Sequence, residues 1–169
     1  MNKTLKNRLS VTALALSGAG LIAISGFEGF SEKAYIPVSG DRITIGYGHT
    51  GQVQLGDTIT KDEALQLLRK DVEIAEKAVR RCVKVPLSQN EFDAYVSFTF
   101  NVGEGNFCSS TLVKKLNAKD YLGACRELKR WVYSSGVKYK GLENRRSVET
   151  LICTNGDYPK DARTEHPLN

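Results

Sequence analysis

One carboxylate in the sequence stands in a setting that suits acid catalysis. Glu28 lies between two aromatic residues and two glycines, in the order Gly26-Phe27-Glu28-Gly29-Phe30. A carboxylic acid held against apolar side chains has a raised pKa, because its ionised form is disfavoured there, and it can donate a proton near neutrality. Glu28 is therefore a candidate general acid. The alternative is a glutamate that only ends a helix or marks a membrane boundary.

Two polar residues that follow Glu28 could complete such a site. Asp41 and Thr44 lie in a stretch with turn and strand character. A hairpin that folds back onto a preceding helix can bring its polar side chains opposite the helix carboxylate. Glycosidic bonds are cleaved by a pair of this kind, in which one group protonates the leaving oxygen and the other orients water. For Asp41, the alternative is an ordinary Gly-Asp turn residue.

The elements around these residues follow from turn residues and periodicity. Turn residues over 37–41 and alternation over 43–47 predict a small hairpin. Capping boxes at Thr60–Glu63 and Ser88–Glu91 each open a predicted helix, the first a long amphipathic one reaching Val79 and the second a buried central helix ended by Gly103. Shorter helices are predicted over 110–117, 120–131 and 142–153. The fold class is α+β, a small β-hairpin lobe plus a mostly helical lobe.

The first thirty residues indicate export. Lys3, Lys6 and Arg8 precede the uncharged stretch 9–27, in which serine, threonine and glycine interrupt the apolar residues. A committed span needs about 20 mainly apolar residues, so this one inserts weakly. A cleaved signal peptide, an uncleaved signal-anchor helix and a buried core helix are all compatible with it. Because the folded body begins at once with Glu28, we expect residues 1–27 to be an anchor and 28–169 the enzyme domain.

Composition narrows the partners and cofactors. Lys plus Arg number 24 and Asp plus Glu 19, and the net charge of +5 is scattered along the chain, which favours anionic surfaces over a dedicated nucleic-acid arm. No Cys-x-x-Cys pair occurs, so a zinc site and any other metal or cofactor are not expected. Two disulfides or four buried thiols remain, with three connectivities open, among Cys82, Cys108, Cys125 and Cys153.

Several segments together resemble one family. Glu28-Gly29, Ala34-Tyr35 and the run Thr-Ile-Gly-Tyr-Gly-His-Thr over 44–50 resemble the active-site segment of the phage lysozymes, glycoside hydrolase family 24, whose signature is Glu, Asp and Thr. Later segments that resemble the helices of that family are 67–71, 98–103, 123–125, 130–131 and 141–146. The family usually places its Asp nine residues after the Glu, where this chain has Pro37, so the role passes to Asp41.

The resemblance implies a lysozyme-like fold and a muramidase that cleaves peptidoglycan between N-acetylmuramic acid and N-acetylglucosamine. Glu28 would protonate the glycosidic oxygen, while Asp41 and Thr44 position water for an inverting attack. Substrate contacts are expected from Tyr35, Tyr47 and His49. The alternative for the tyrosines is packing, and His49 is the more plausible as a structural residue that holds the hairpin.

The resemblance also implies how the protein reaches its site of action. Relatives of the signal-arrest-release type carry a weak anchor that inserts uncleaved in the host inner membrane and later leaves it, which frees the enzyme in the periplasm as a monomer. Relatives also suggest pairing Cys125 with Cys153, which leaves Cys82 with Cys108. Two other functions stay open: a holin-like protein that permeabilises membranes, and a non-catalytic wall-binding homologue.

Overall fold

The computed structural model describes residues 7–159, which fall into two compact units. We call residues 7–20 and 74–159 the helical unit, and residues 21–73 the hairpin unit. In chain order the elements are a 3₁₀ turn Val11–Ala13, α1 Gly18–Glu28, β1 Ser31–Tyr35, β2 Thr44–Gly46, α2 Lys61–Asp71, α3 Glu73–Cys82, α4 Gln89–Val102, α5 Glu104–Ser109, α6 Thr111–Asn117, α7 Tyr121–Glu127, a 3₁₀ turn Leu128–Arg130, β3 Tyr133–Ser134, β4 Val137–Lys138 and α8 Lys140–Asn155.

Helix α4 is the centre of the helical unit. All its residues from Glu91 to Thr99 are buried, which is the pattern of a helix enclosed on every side. The predicted capping box is present: Ser88 Oγ accepts the N–H of Glu91, and the Glu91 carboxylate accepts the N–H of Ser88 at 2.9 Å. Gly103, with φ +87°, ends the helix. The predicted central helix is therefore confirmed.

Two disulfides lie within the helical unit. Cys82 pairs with Cys108, with Cα atoms 5.5 Å apart, and Cys125 pairs with Cys153 at 5.8 Å. The first ties the end of α3 to α5, and the second ties α7 to α8. Both predicted pairs are confirmed.

The start of the described chain is bound into the helical unit. Leu9 and Leu87 exchange two backbone hydrogen bonds of 2.8 Å. Arg8 makes a bidentate pair with Glu91, at 2.8 and 3.0 Å, and its guanidinium lies 3.6 Å from the ring centroid of Tyr121. Apolar side chains of the following stretch that are buried are Val11, Leu14 and Leu16.

This path differs from the predicted continuous apolar helix over 9–27. The helix begins only at Gly18, because the Ser17 hydroxyl accepts the Gly20 N–H at 3.0 Å, while the Ser17 N–H and hydroxyl both donate to Asp93. Tyr158, near the other end of the described chain, donates at 2.6 Å to Asp93 Oδ2, the oxygen that also accepts the Ser17 hydroxyl. Across residues 7–159, no helix combines the length and the apolar character that a membrane span requires. Lys3 and Lys6 lie outside the described residues.

One further prediction needs correction, and one element was not predicted. The single long helix predicted from the Thr60 box is two helices, α2 and α3, separated at the buried Val72, where the chain leaves the hairpin unit. Val72 is itself apolar and keeps the helical spacing, so periodicity did not reveal the break. The structure also contains a hairpin for which no prediction was made, β3–β4, whose turn residues Ser135 and Gly136 both have positive φ. The Ser-Gly dipeptide is the signal that could have predicted this turn.

Candidate active site

Glu28 is the last residue of α1, and its side chain is exposed. The helix ends there because Gly29 adopts φ +71°, a left-handed conformation that glycine takes without strain. The apolar enclosure that the sequence suggested for this carboxylate is thus at most partial. Phe30, one of its flanking aromatics, packs on Tyr47 with ring centroids 5.4 Å apart and lies 5.7 Å from Lys61 Nζ.

The predicted hairpin follows at once and carries Thr44. Strands β1 and β2 are antiparallel, with Ser31 opposite Gly46 and Tyr35 opposite Thr44. Thr44 is 7% exposed, and its hydroxyl donates to the carbonyl of Arg42 at 3.0 Å. The hairpin thus fixes Thr44 at the start of β2, in the same unit as Glu28.

Asp41 lies in the loop between β1 and β2, and its side chain is exposed. Its N–H donates to the carbonyl of Val38 at 2.9 Å, across a turn in which Gly40 has φ +94°. The backbone of Asp41 therefore closes a tight turn, as the alternative interpretation expected. Its carboxylate is accessible to solvent, as a general base that orients water requires.

Gly46 brings β2 close to α2. A Cβ at this position would lie 2.9 Å from the Cβ of Ala64, and Gly46 has φ +63°. Both the space and the backbone angle therefore require glycine. This close approach holds the strand that carries Thr44 against a capped helix, since α2 begins with the predicted Thr60–Glu63 box.

His49 closes the turn after β2. Its backbone exchanges two 3.0 Å hydrogen bonds with Ile45. The ring Nδ1 lies 2.8 and 3.0 Å from the two carboxylate oxygens of Asp71, at the end of α2, and Nε2 lies 2.9 Å from the carbonyl of Gly51. Both ring nitrogens thus contact protein atoms that hold the loop. We did not predict Asp71 as the partner of His49, because nothing in the spacing linked the two.

The two tyrosines differ in exposure. Tyr35 ends β1 and is 44% exposed, so its ring is available to a ligand. Tyr47 is half-buried against Phe30, which is the packing alternative. Among residues 7–159, no cluster of three or more histidine, cysteine, aspartate or glutamate side chains is arranged to hold a metal.

Comparisons with known proteins identify the family of this chain. The sequence profile of the family described as phage lysozyme matches residues 25–149. The SAR-endolysin of Enterobacteria phage P21 is 39% identical over 145 residues, which are 83% of this chain and 87% of that protein. The predicted lysozyme resemblance is confirmed.

Solved structures share the fold. An endolysin from the Escherichia coli O157:H7 phage FAHEc1 is 40% identical and superposes with a TM-score of 0.80, over 88% of this chain and 98% of that one. A P22 lysozyme mutant is 34% identical, with a TM-score of 0.77 over 82% and 97%. The profile match includes the segment from Glu28 to His49, and this chain belongs to the phage lysozyme family.

Proposed function

We propose that the protein is a phage endolysin with muramidase activity, which hydrolyses the β-1,4 bond between N-acetylmuramic acid and N-acetylglucosamine and lyses the bacterial host at the end of infection. The observation that carries the proposal is the family match over residues 25–149, which includes a carboxylate at the end of α1 followed directly by the hairpin. Relatives named as endolysins cover most of this chain.

In the proposed mechanism, Glu28 protonates the glycosidic oxygen as the bond to the leaving sugar breaks. Its position at a helix end, before the left-handed Gly29, leaves the carboxylate exposed to an incoming glycan strand. A general acid must reach the leaving oxygen by direct hydrogen bond, which an exposed side chain allows. Protonation contributes typically about 10²–10⁴ to the rate.

Asp41 and Thr44 are proposed to hold the water that attacks from the opposite face of the sugar. The loop of Asp41 is tied by its backbone, so the carboxylate itself is left for the water. Thr44 is held by β2 and by its bond to Arg42, which fixes the direction of its hydroxyl oxygen. An inverting reaction needs the two carboxylates about 6.5–9.5 Å apart, to leave room for that water.

Substrate contacts are proposed for Tyr35, Tyr47 and His49. Tyr35 offers an exposed ring at the end of β1, on which a sugar face can pack. Tyr47 and His49 would support this substrate-contacting surface. Tyr47 packs on Phe30, and His49 holds the turn after β2. The net charge of +5 favours approach to the anionic wall.

We also propose that residues 9–27 act first as an uncleaved anchor in the host inner membrane, and that the protein is then released as a monomer into the periplasm. Relatives named SAR-endolysins support this. In the structure the same stretch is bound to protein: Leu16 N–H donates to Glu76, and Arg80 donates to the carbonyl of Leu14 at 2.7 Å. These contacts suit the released form. Soluble enzyme from the start of expression, with a shortened N-terminus, would contradict the anchor.

Mass spectrometry of muropeptides tests the reaction and both carboxylate roles. Purified walls are treated with the wild type, Glu28→Gln and Asp41→Asn, alongside the exposed control variants Glu32→Gln and Asp62→Asn. We expect fragments with reducing N-acetylmuramic acid ends from the wild type and controls and almost none from the site variants. Anhydro sugar ends would instead indicate a lytic transglycosylase, and membrane leakage without fragments a holin-like protein.

A further inference from the structure

The leading segment, residues 8–17, is held to the rest of the helical unit by acidic side chains. Three buried carboxylates of α3 and α4 accept its hydrogen bonds, those of Glu76, Glu91 and Asp93, which are 8%, 1% and 1% exposed. Glu76 and Asp93 accept backbone N–H groups from the end of the segment. Glu91 instead accepts a charged side chain from its beginning, the guanidinium of Arg8.

The Arg8–Glu91 pair has a geometry that suits arginine in particular. Arg8 Nε and Nη2 lie 3.0 and 2.8 Å from the two carboxylate oxygens, and the side chains are 28% and 2% exposed. The guanidinium also lies 3.6 Å from the ring centroid of Tyr121. A planar fork can bind both oxygens and stack on a ring at once, which an ammonium group cannot. The pair is thus a built contact between distant parts of the chain.

Arg8 would occupy a very different place in the membrane-anchored form. It is the last basic residue before the uncharged stretch 9–27, and the basic end of such a segment stays in the cytoplasm. Glu91 belongs to the domain that is exported to the other side. The hydrocarbon core between them is about 30 Å thick. The contact of 2.8 Å therefore cannot exist while residues 9–27 span the membrane.

The pair belongs to one of two mutually exclusive states. A contact that is made in only one state shifts the equilibrium toward that state by its own free energy. This contact is a strong one of its kind, because taking the partner away from a buried charge is costly. Once Arg8 has reached Glu91, a return of the leading segment to the bilayer requires the pair to break.

We propose that Arg8 and Glu91 form a latch that holds the leading segment on the helical unit after it leaves the membrane. The inference rests on the anchor in the proposed function and names the residues on which release depends. Arg8 then has two successive roles. Its positive charge retains the N-terminus in the cytoplasm before release, and its bidentate contact with Glu91 stabilises the released form afterwards.

The charge-conserving variant Arg8→Lys separates the two roles. Lysine keeps the positive charge that orients the segment, but it cannot make the bidentate contact. The full chain carries Glu28→Gln in every case, so that release is measured without lysis. The membrane potential is lowered to an intermediate value, and the ratio of soluble to membrane-bound protein is measured. The control is Arg81→Lys, because Arg81 pairs with Glu104 at 3.0 Å on the exposed surface of the same unit.

We expect the same membrane binding for all three proteins at full potential. At the intermediate potential, the ratio for Arg8→Lys should be at least about fivefold lower than that of the parent chain, because one charged hydrogen bond and the ring contact are lost. Arg81→Lys should match the parent chain. Equal ratios for the parent chain and Arg8→Lys would overturn the latch and leave the anchor standing.

A cycle with Glu91→Gln tests whether the effect passes through this pair. Glutamine can still accept the N–H of Ser88, so the capping box of α4 is kept while the charge is lost. We expect Glu91→Gln to lower the ratio about as much as Arg8→Lys, and the double variant to be little lower than either one. Tyr121→Leu keeps both charges and should lower the ratio about twofold or more, which gives a second readout if Glu91→Gln does not fold.

The remaining outcomes separate the latch from the proposed function. Effects of Arg8→Lys and Glu91→Gln that multiply in the double variant would overturn the latch, because Arg8 would then act through another contact. Protein that is soluble at full potential, with a shortened N-terminus, would overturn the anchor and the latch together. Since release is measured in a Glu28→Gln background, neither result bears on the muramidase activity.

Discussion

The hairpin unit and the helical unit use charged residues in opposite ways. In the hairpin unit, Glu28 and Asp41 are exposed, and the chain around them is fixed by backbone turns. In the helical unit, Arg146 and Glu149 are almost fully buried in a shared network between α8 and α4. The two carboxylates proposed for chemistry are thus accessible to solvent, whereas the carboxylate of Glu149 is enclosed among its protein partners.

The largest effect expected from this contrast is on activity. Glu28→Gln should lower kcat/KM by about 10³ or more, because the amide cannot donate the proton to the leaving oxygen. The free energy of unfolding should change by no more than about 1 kcal/mol, which is the range for an exposed charged group that has a partner. Turbidity assays on walls and urea denaturation measure the two quantities, with Glu32→Gln as the matched control. Substantial lysis by Glu28→Gln would remove Glu28 from the mechanism.

The opposite result is expected for Glu149→Gln. This change leaves two arginines in the buried network with a weaker partner, and breaking a buried ion pair costs about 3–5 kcal/mol. Denaturant midpoints should fall strongly, while kcat of the remaining folded enzyme stays near the wild-type value. Glu143→Gln, on the same helix but only partly buried and paired with Lys138, is the control and should lower the midpoint much less. Equal denaturant midpoints for Glu149→Gln and Glu143→Gln would contradict this prediction, because burial of the carboxylate would then make no difference to stability.

A smaller effect is expected where the hairpin unit does use a polar contact for structure. His49 and Asp71 are 21% and 31% exposed, and the hydrogen bond between them holds the turn after β2. A double-mutant cycle with His49→Asn and Asp71→Asn should give a coupling of about 1 kcal/mol in stability. Both single variants should also lower kcat modestly, since β2 carries Thr44. Additive single effects would show that the contact contributes nothing.

The smallest differences in stability are expected at the two helix capping boxes. Ser88 is buried in the helical unit, so Ser88→Ala should cost about 1–2 kcal/mol. Thr60→Ala, in the exposed box of the hairpin unit, should shift the thermal midpoint less. Hydrogen bonds from Thr60 lower the pKa of Glu63 below 4.5, so this contribution is present above that pH and is lost as the pH falls through the lower value of the folded state. The difference between wild type and Thr60→Ala should therefore become smaller in acid, where the bond from the Glu63 N–H to Thr60 Oγ1 is what remains of the box. A constant difference would contradict it.

Local signals predicted much of this fold. Patterns within a few residues are visible in the sequence: capping side chains three residues apart, turn residues, and apolar residues at strand or helix spacing. They predicted both capping boxes, the hairpin after Glu28 and the buried helix α4. The disulfide pairs came from family resemblance. The path of residues 9–17 could not be predicted, because it depends on partners such as Glu76 and Asp93 that are distant in the chain.

The roles of the candidate site residues stay predictions. Glu28, Asp41 and Thr44 were selected from their types and spacing together with the family resemblance, and the structure places all three in the hairpin unit, with Thr44 on β2. The partner of His49 was missed, because a histidine and a carboxylate separated by 22 residues meet only through the packing of α2 on the hairpin. The burial of Arg146 was not predicted either, because a sequence does not reveal which arginine is removed from solvent.

The order of synthesis gives the contacts of Ser17 a further meaning. Its partner Asp93 is 76 residues away, and Tyr158, which shares that carboxylate, lies another 65 residues on. At about 5–20 residues per second, the ribosome makes Asp93 about 4–15 s after Ser17, and Tyr158 later still. During that interval Ser17 lacks the Asp93 contacts that accompany the start of α1 at Gly18. For the proposed anchor, translation thus leaves several seconds in which residues 9–17 can enter a membrane before these contacts form.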